Sequence, residues 1–136
     1  MTHLIHLTIP NVADAGAPRR VRTAQLTTRW TSTSAAIVSA HGDIDAANAN
    51  AFIDYTLANA ASSSGLIIDL RCVKFIAVEG FSALHKIAVR CAGAGISWAL
   101  VPGPSADRLL RLCDPDRSLP VLDNLDIALT GLLDEH

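Results

Sequence analysis

The sequence predicts an α/β domain, a mixed sheet of four to five strands packed with about four helices. Three observations carry that reading. Short aliphatic runs such as Leu66-Ile67-Ile68-Asp69-Leu70, bounded by Gly65 and Arg71, suit a central strand covered on at least one face. Between such runs lie segments whose apolar residues recur every three and four positions, the period of a helix. Clusters of Ser, Gly and Pro separate them at element-length intervals. With 136 residues the chain is one domain, long enough to bury roughly two-thirds of the surface its unfolded form exposes.

Residues 1–21 read as a flexible N-terminal tail and 22–136 as the folded domain. Within the tail Leu4, Ile5, Leu7 and Ile9 suit a short strand against a sheet edge or a second subunit, and Pro10, Asn11, Asp14, Gly16 and Pro18 break anything longer. Ala24 to Trp30 alternates, with Ala24, Leu26, Thr28 and Trp30 on one side. It pairs with Ala35 to Ala40 across Thr31-Ser32-Thr33-Ser34 as an antiparallel hairpin. His41-Gly42-Asp43-Ile44-Asp45 closes the second strand, and Asp45 is placed to accept a hydrogen bond from the amides of Ala47 or Asn48 at a helix start.

The helix over 46–61 carries Ala49, Phe52, Ile53, Leu57 and Ala60 as its apolar stripe and ends at Ser62-Ser63-Ser64-Gly65. Strand, helix and strand over 35–70 form a parallel crossover, expected to be right-handed. After Phe75-Ile76 and the turn Ala77-Val78-Glu79-Gly80 comes a helix with Phe81, Leu84, Ala88 and Cys91 on one face and Ser82, His85, Lys86 and Arg90 mostly on the polar side. Gly93 and Gly95 terminate it. Ile96 to Val101 reads as a strand and Pro102-Gly103-Pro104 as a break. Ser105 is placed to cap a short helix over 106–113 with Leu109, Leu110 and Leu112, which Asp114-Pro115-Asp116 ends. Leu119-Pro120-Val121-Leu122 is a short edge strand, since Pro120 cannot donate to a ladder. Asp123 then caps a final helix with Leu125, Ile127, Ala128, Leu132 and Leu133.

Composition narrows the function. A net charge of −2 argues against direct nucleic-acid binding, and the cluster Arg19, Arg20 and Arg22 reads as a solvated segment. No apolar run approaches the roughly 20 residues that span a bilayer, so membrane insertion is not expected. Met1 to Pro10 lacks a basic region followed by an apolar one, so no secretory signal is expected. Cys72, Cys91 and Cys113, odd in number and widely spaced, fit neither a zinc knuckle nor a disulfide framework and point to a reducing cytoplasm.

The catalytic inventory is thin. His41 and His85 have no Ser or Cys nearby in a recognisable nucleophile turn. No lysine sits in a glycine-rich phosphate loop, and Gly93-Ala94-Gly95 is a helix terminator. Capping and turn duties account for Asp43 with Asp45 and for Asp114 with Asp116. Cys91 reads as core, Cys72 and Cys113 as element ends. The expectation is a protein that is not an enzyme and holds no metal or cofactor. The turn at 77–80 stands out because it lies at a helix N-terminus beside the carboxyl edge of a strand, where α/β folds place their function and where anions are favoured.

The corner Gly42-Asp43-Ile44-Asp45, the strand Leu66-Ile67-Ile68-Asp69-Leu70 and the stretch Phe75-Ile76-Ala77-Val78-Glu79-Gly80-Phe81 together resemble the STAS domain of bacterial anti-sigma factor antagonists. The likeness covers about residues 22–134, and the first corner corresponds to the family's Gly-x-Leu-Asp signature. The resemblance implies a STAS fold and a cytoplasmic binding protein without catalytic activity. Its implied partner is an anti-sigma factor of the serine-kinase type, whose capture frees a sigma factor for transcription in a stress response. The implied contact surface is Asp43, Asp45, Ala77, Val78, Glu79, Gly80, Phe81 and Ser82.

In that family the helix begins Asp-Ser-Ser-Gly, and phosphorylation of a serine there blocks the complex by adding charge to the docking surface. Aligned on Gly80, the Asp falls on Ala77, the first Ser on Val78 and the second Ser, the usual acceptor, on Glu79. Glu79 has no hydroxyl, so the usual switch is lost. Either it imitates the phosphorylated state, or, as favoured here, it is an acidic residue suited to a helix first turn, worth about 0.3–1 kcal/mol. Ser82, sharing a face with Glu79, is the substitute acceptor to consider first, with the amino-terminal Thr2 and Thr8; Ser62 to Ser64 follow. The same fold also serves as a subunit of lipid-transport ABC systems and in stress-sensing assemblies, and these remain alternatives, as does nucleotide binding at the turn before the Glu79 helix, where exposed amides favour a phosphate but Glu79 repels it. A homodimer is left open.

Overall fold

The computed structural model describes residues 3–4, 19–21 and 23–134, with side chains from 23 to 131. Its strands are β1 (His3–Leu4), β2 (Arg19–Val21), β3 (Ala24–Trp30), β4 (Ala35–Ile44), β5 (Gly65–Ile76) and β6 (Trp98–Val101). The helices are α1 (Ala49–Ala61), α2 (Val78–Ala94), α3 (Gly103–Cys113) and α4 (Leu125–Asp134). The main sheet runs β3-β4-β5-β6, antiparallel between β3 and β4 and parallel thereafter. This is the expected mixed sheet with its four helices. The short strands β1 and β2, both from the segment read as a tail, pair antiparallel with β3.

Alternation along the two central strands places the core. Ala36, Val38 and Ala40 of β4 and Leu66, Ile68 and Leu70 of β5 join the buried residues of α1, α2 and α3 on one face of the sheet. Ala35 and Ile37, Ile67, Ala99 and Val101 meet Ala128 of α4 on the other. Covered on both faces, β5 reads as a continuous apolar run, and each fully buried Leu or Ile side chain contributes about 1.5–3 kcal/mol. The polar exception is Asp69. Arg71 donates to its carboxylate from Nε at 2.9 Å and Nη2 at 2.8 Å, and the Arg71 amide donates at 3.1 Å. Burial alone pushes the Asp69 carboxyl up, but these bonds outweigh it and hold the group below the ordinary range.

Several element boundaries differ from the sequence reading, each for a local reason. β5 runs on through Ile76 instead of ending at Leu70, carried by continued pairing with β4. α1 begins at Ala49 instead of 46, because residues 46–48 form a turn. The buried face of α2 centres on Gly80, Ala83, Leu84, Ile87 and Cys91, with Phe81 and Ala88 at its margin. Gly95 ends that helix in the left-handed conformation, φ 70°, its amide bonding back to Ala92.

Ser105 does not cap α3. The helix already begins at Gly103, and the Ser105 hydroxyl donates to the Lys74 carbonyl at 2.9 Å. The cap of α4 is Asn124 instead of Asp123, its Oδ1 accepting from the Ile127 amide at 2.8 Å. Leu119–Leu122 makes a single parallel bridge, Val121 to Leu100. Within the α1 face sit polar residues that periodicity did not reveal: Tyr55, Thr56 and Asn59 are buried, and the Thr28 hydroxyl donates to Tyr55 Oη at 2.8 Å.

Candidate functional site

The site starts from a glycine. Gly42 sits at φ +97°, and a Cβ there would lie 2.2 Å from the Thr23 carbonyl oxygen, so only glycine lets β4 pass so close to the start of β3. Just there the β4–β5 register slips twice. Ser39 pairs with Asp69 but His41 with Cys72, and Gly42 pairs with Val73 but Asp43 with Phe75, each step passing over one residue of β5. Such bulges bend a strand and re-aim its side chains. Here they leave Val73 and Ile76 in the core while Phe75, 54% exposed, stands opposite Asp43.

Asn48 holds the corner shut. Buried itself, it donates from Nδ2 to the Asp43 carbonyl at 2.9 Å and accepts from the Asp45 amide at 3.0 Å. The Asp45 carboxylate accepts from the Ala47 amide at 2.9 Å, as its spacing predicts.

The second part of the site is the turn into α2. Ala77 is extended, with ψ 172°, and has no side-chain cap. Its amide donates instead to the Ile44 carbonyl at 2.9 Å, which ties the turn to the 42–45 corner. Gly80 is buried on the same seam: a Cβ there would lie 2.4 Å from Ile76 Cγ1 and 3.4 Å from Ile44 Cγ2. The α2 start is thereby pressed onto the ends of β4 and β5.

Of the residues singled out from the sequence, Val78, Glu79 and Ser82 are exposed, Asp43, Asp45, Ala77 and Phe81 are half-buried, and Gly80 is buried. One continuous surface therefore joins Asp43 and Asp45 to 77–82. Gly80 shapes this surface from beneath, and Phe81 packs partly onto the core. Glu79 makes no hydrogen bond or ion pair among the described residues and lies in the first turn of α2, where the helix dipole favours a negative charge. Phe75 is the member that sequence reasoning missed. Alternation cannot place a residue that follows two register slips, and the only signal was an aromatic at the end of an apolar strand.

The remaining candidates take structural positions. His41 and His85 are exposed, and Cys91 is buried, which pushes its thiol up. The Asp114 carboxylate is spent on its own loop, accepting from the Ser118 amide at 2.9 Å, the Ser118 hydroxyl at 2.7 Å and the Leu119 amide at 3.2 Å. Among the described residues no group of three or more His, Cys, Asp or Glu is placed to hold a metal. No helix there is long and apolar enough to cross a membrane.

A mixed sheet packed with four helices, with an exposed turn at the start of α2, defines a domain of the STAS class. The STAS domain family profile matches residues 29–128, and the chain belongs to that family. It is 28% identical over 104 residues to Osmosensory protein A of Mycobacterium tuberculosis, an overlap that takes in 74% of this chain. The chain spans 66% of that relative's length. The crystal structure of an anti-sigma factor antagonist from Mycobacterium paratuberculosis superposes with a TM-score of 0.73 at 28% identity, covering 82% of this chain and 95% of the other. The anti-sigma factor antagonist SpoIIAA in its unphosphorylated form superposes at 0.65 with 8% identity, covering 82% and 97%, a likeness of fold alone.

Proposed function

We propose that this chain is a non-enzymatic anti-sigma factor antagonist that docks a serine-kinase-type anti-sigma factor on the surface formed by 42–45, Phe75 and 77–82. The observation that carries the reading is the exposed turn Val78-Glu79, tied by Ala77 to Ile44 at the position where that family presents its phospho-acceptor. The 28% identical antagonist of known structure supports it. Exposed Val78 and Phe75 supply apolar area at the centre of this surface, and Asp43, Asp45 and Glu79 supply its charge. Release of a sigma factor follows from the capture of its inhibitor. The name of the osmosensory relative supports a role in a stress response.

In this reading Glu79 leaves the docking surface permanently charged, and regulation by the usual serine is absent. Its carboxylate carries about one charge against the −1.5 to −2 of a phosphate, so it weakens docking less than a phosphate would. Regulation by a hydroxyl then falls on Ser82, which is exposed one turn on.

Affinity capture from the native cytosol with this chain and its Glu79→Ser variant tests the proposal. Both should recover an anti-sigma kinase, and with ATP only the variant should gain phosphate at residue 79. Recovery of a transporter ATPase in its place by both baits would refute the sigma-factor role and leave the family assignment standing.

A further inference from the structure

We propose that α2 is also a self-association surface, on which a second copy of this chain packs its own α2 antiparallel about a twofold axis. The solvent face of α2 carries Val78, Ser82, His85 and Val89, spaced four, three and four residues apart, the spacing of a coiled-coil seam. A helix that packs only on its inner face is expected to be polar outside. Here the seam ends in valines that are each 59% exposed. The seam extends over about 16 Å at 1.5 Å per residue.

Reversed against itself, the seam is its own complement. An antiparallel alignment that sets Val78 on the partner's Val89 also sets Ser82 on the partner's His85, and twofold symmetry repeats both contacts. The same alignment brings Glu79 beside the partner's Lys86, again twice. Within one helix these two residues are seven positions apart, about 10 Å, too far to pair. Neither makes an ion pair or hydrogen bond among the described residues. The charge order along the seam therefore selects a second copy: an acidic foreign helix would satisfy Lys86 and be repelled by Glu79, and a basic one the reverse.

The interface is one helix face wide, well below the roughly 1,200–2,000 Å² of stable complexes, so the dimer is weak and concentration-dependent. It covers Val78, Glu79 and Ser82. Self-association and capture of another protein on the 77–82 surface are then mutually exclusive, a means of control in a chain without the usual phospho-acceptor. That last consequence rests on the proposed function; the dimer itself does not.

Sedimentation velocity of the full chain alone, from low micromolar to millimolar concentration, tests the dimer apart from any partner. The sedimentation coefficient should rise with concentration. Val89→Glu, Glu79→Lys and Lys86→Glu, all exposed positions, should each weaken self-association at least tenfold, about 1.4 kcal/mol, while circular dichroism stays native. The double exchange Glu79→Lys with Lys86→Glu should restore it, a result that only self-pairing produces. A native chain that stays monomeric at millimolar concentration would overturn the proposal. So would a dimer indifferent to Val89→Glu, or a double exchange no better than the single changes.

Discussion

The Ala77 amide donates to the Ile44 carbonyl at 2.9 Å, which ties the start of α2 to the end of β4. Gly80 lies directly behind this bond, with no room for a methyl group beside Ile76. Gly80→Ala should therefore cost about 1–3 kcal/mol from overpacking, although Ala is otherwise about 1 kcal/mol the better helix former. Urea denaturation measures the change. Combined with Ile76→Ala the cost should shrink relative to the sum of the single changes. A neutral or stabilising Gly80→Ala would show that the turn does not depend on this contact.

Asn48 bridges Asp43 and Asp45 from a buried position. Asn48→Ala should lower stability by about 1–3 kcal/mol, since it leaves a carbonyl and an amide without their partner. It should also speed hydrogen exchange at the Asp45 amide more than at Ile68 in the sheet centre. Equal effects at both amides would mean that the corner has no local dependence on Asn48.

Thr56 is fully buried on α1, and its hydroxyl has no hydrogen-bond partner among the described residues. Replacing it with the near-isosteric Val removes an unpaired polar group. Thr56→Val should be neutral or up to about 1 kcal/mol more stable by thermal melting. A clear loss would reveal that the hydroxyl has a role in the core.

Asp69 and Asp114 govern the acid limb. For each, burial pushes the carboxyl up, but hydrogen bonds prevail, from Arg71 to Asp69 and from Ser118 and Leu119 to Asp114, and hold it below its ordinary value of 3.8. A carboxyl depressed in the folded state contributes stability that is present above the unfolded value and lost as pH falls through the folded one. The melting temperature should therefore fall steeply below about pH 4. Asp114→Asn should flatten that fall while lowering stability at neutral pH. An unchanged acid limb would assign the loss to other groups.

Local pattern was enough for the hairpin Ala24–Ala40, the central run Leu66–Leu70, the helices that follow and the likeness to the STAS family. Period-two and period-3.6 burial are properties of neighbouring residues. It was also enough to single out the 77–82 turn and to show that Glu79 lacks a hydroxyl, since both depend on residue identity. The caps were less legible. Asp45 bonds Ala47 as its spacing implies, whereas Asn124 displaced Asp123 and Ser105 turned away to Lys74, because several polar residues near a helix start compete for the same amides.

The register slips opposite Asp43, the exposure of Phe75, the packing of Gly80 against Ile44 and the Ala77–Ile44 bond arise between segments roughly 30 residues or more apart in the chain. A one-residue slip in strand pairing reverses which face a side chain takes, and that slip depends on the partner strand. Periodicity within one segment contains no term for its partner, so these features depend on how the strands and helices meet.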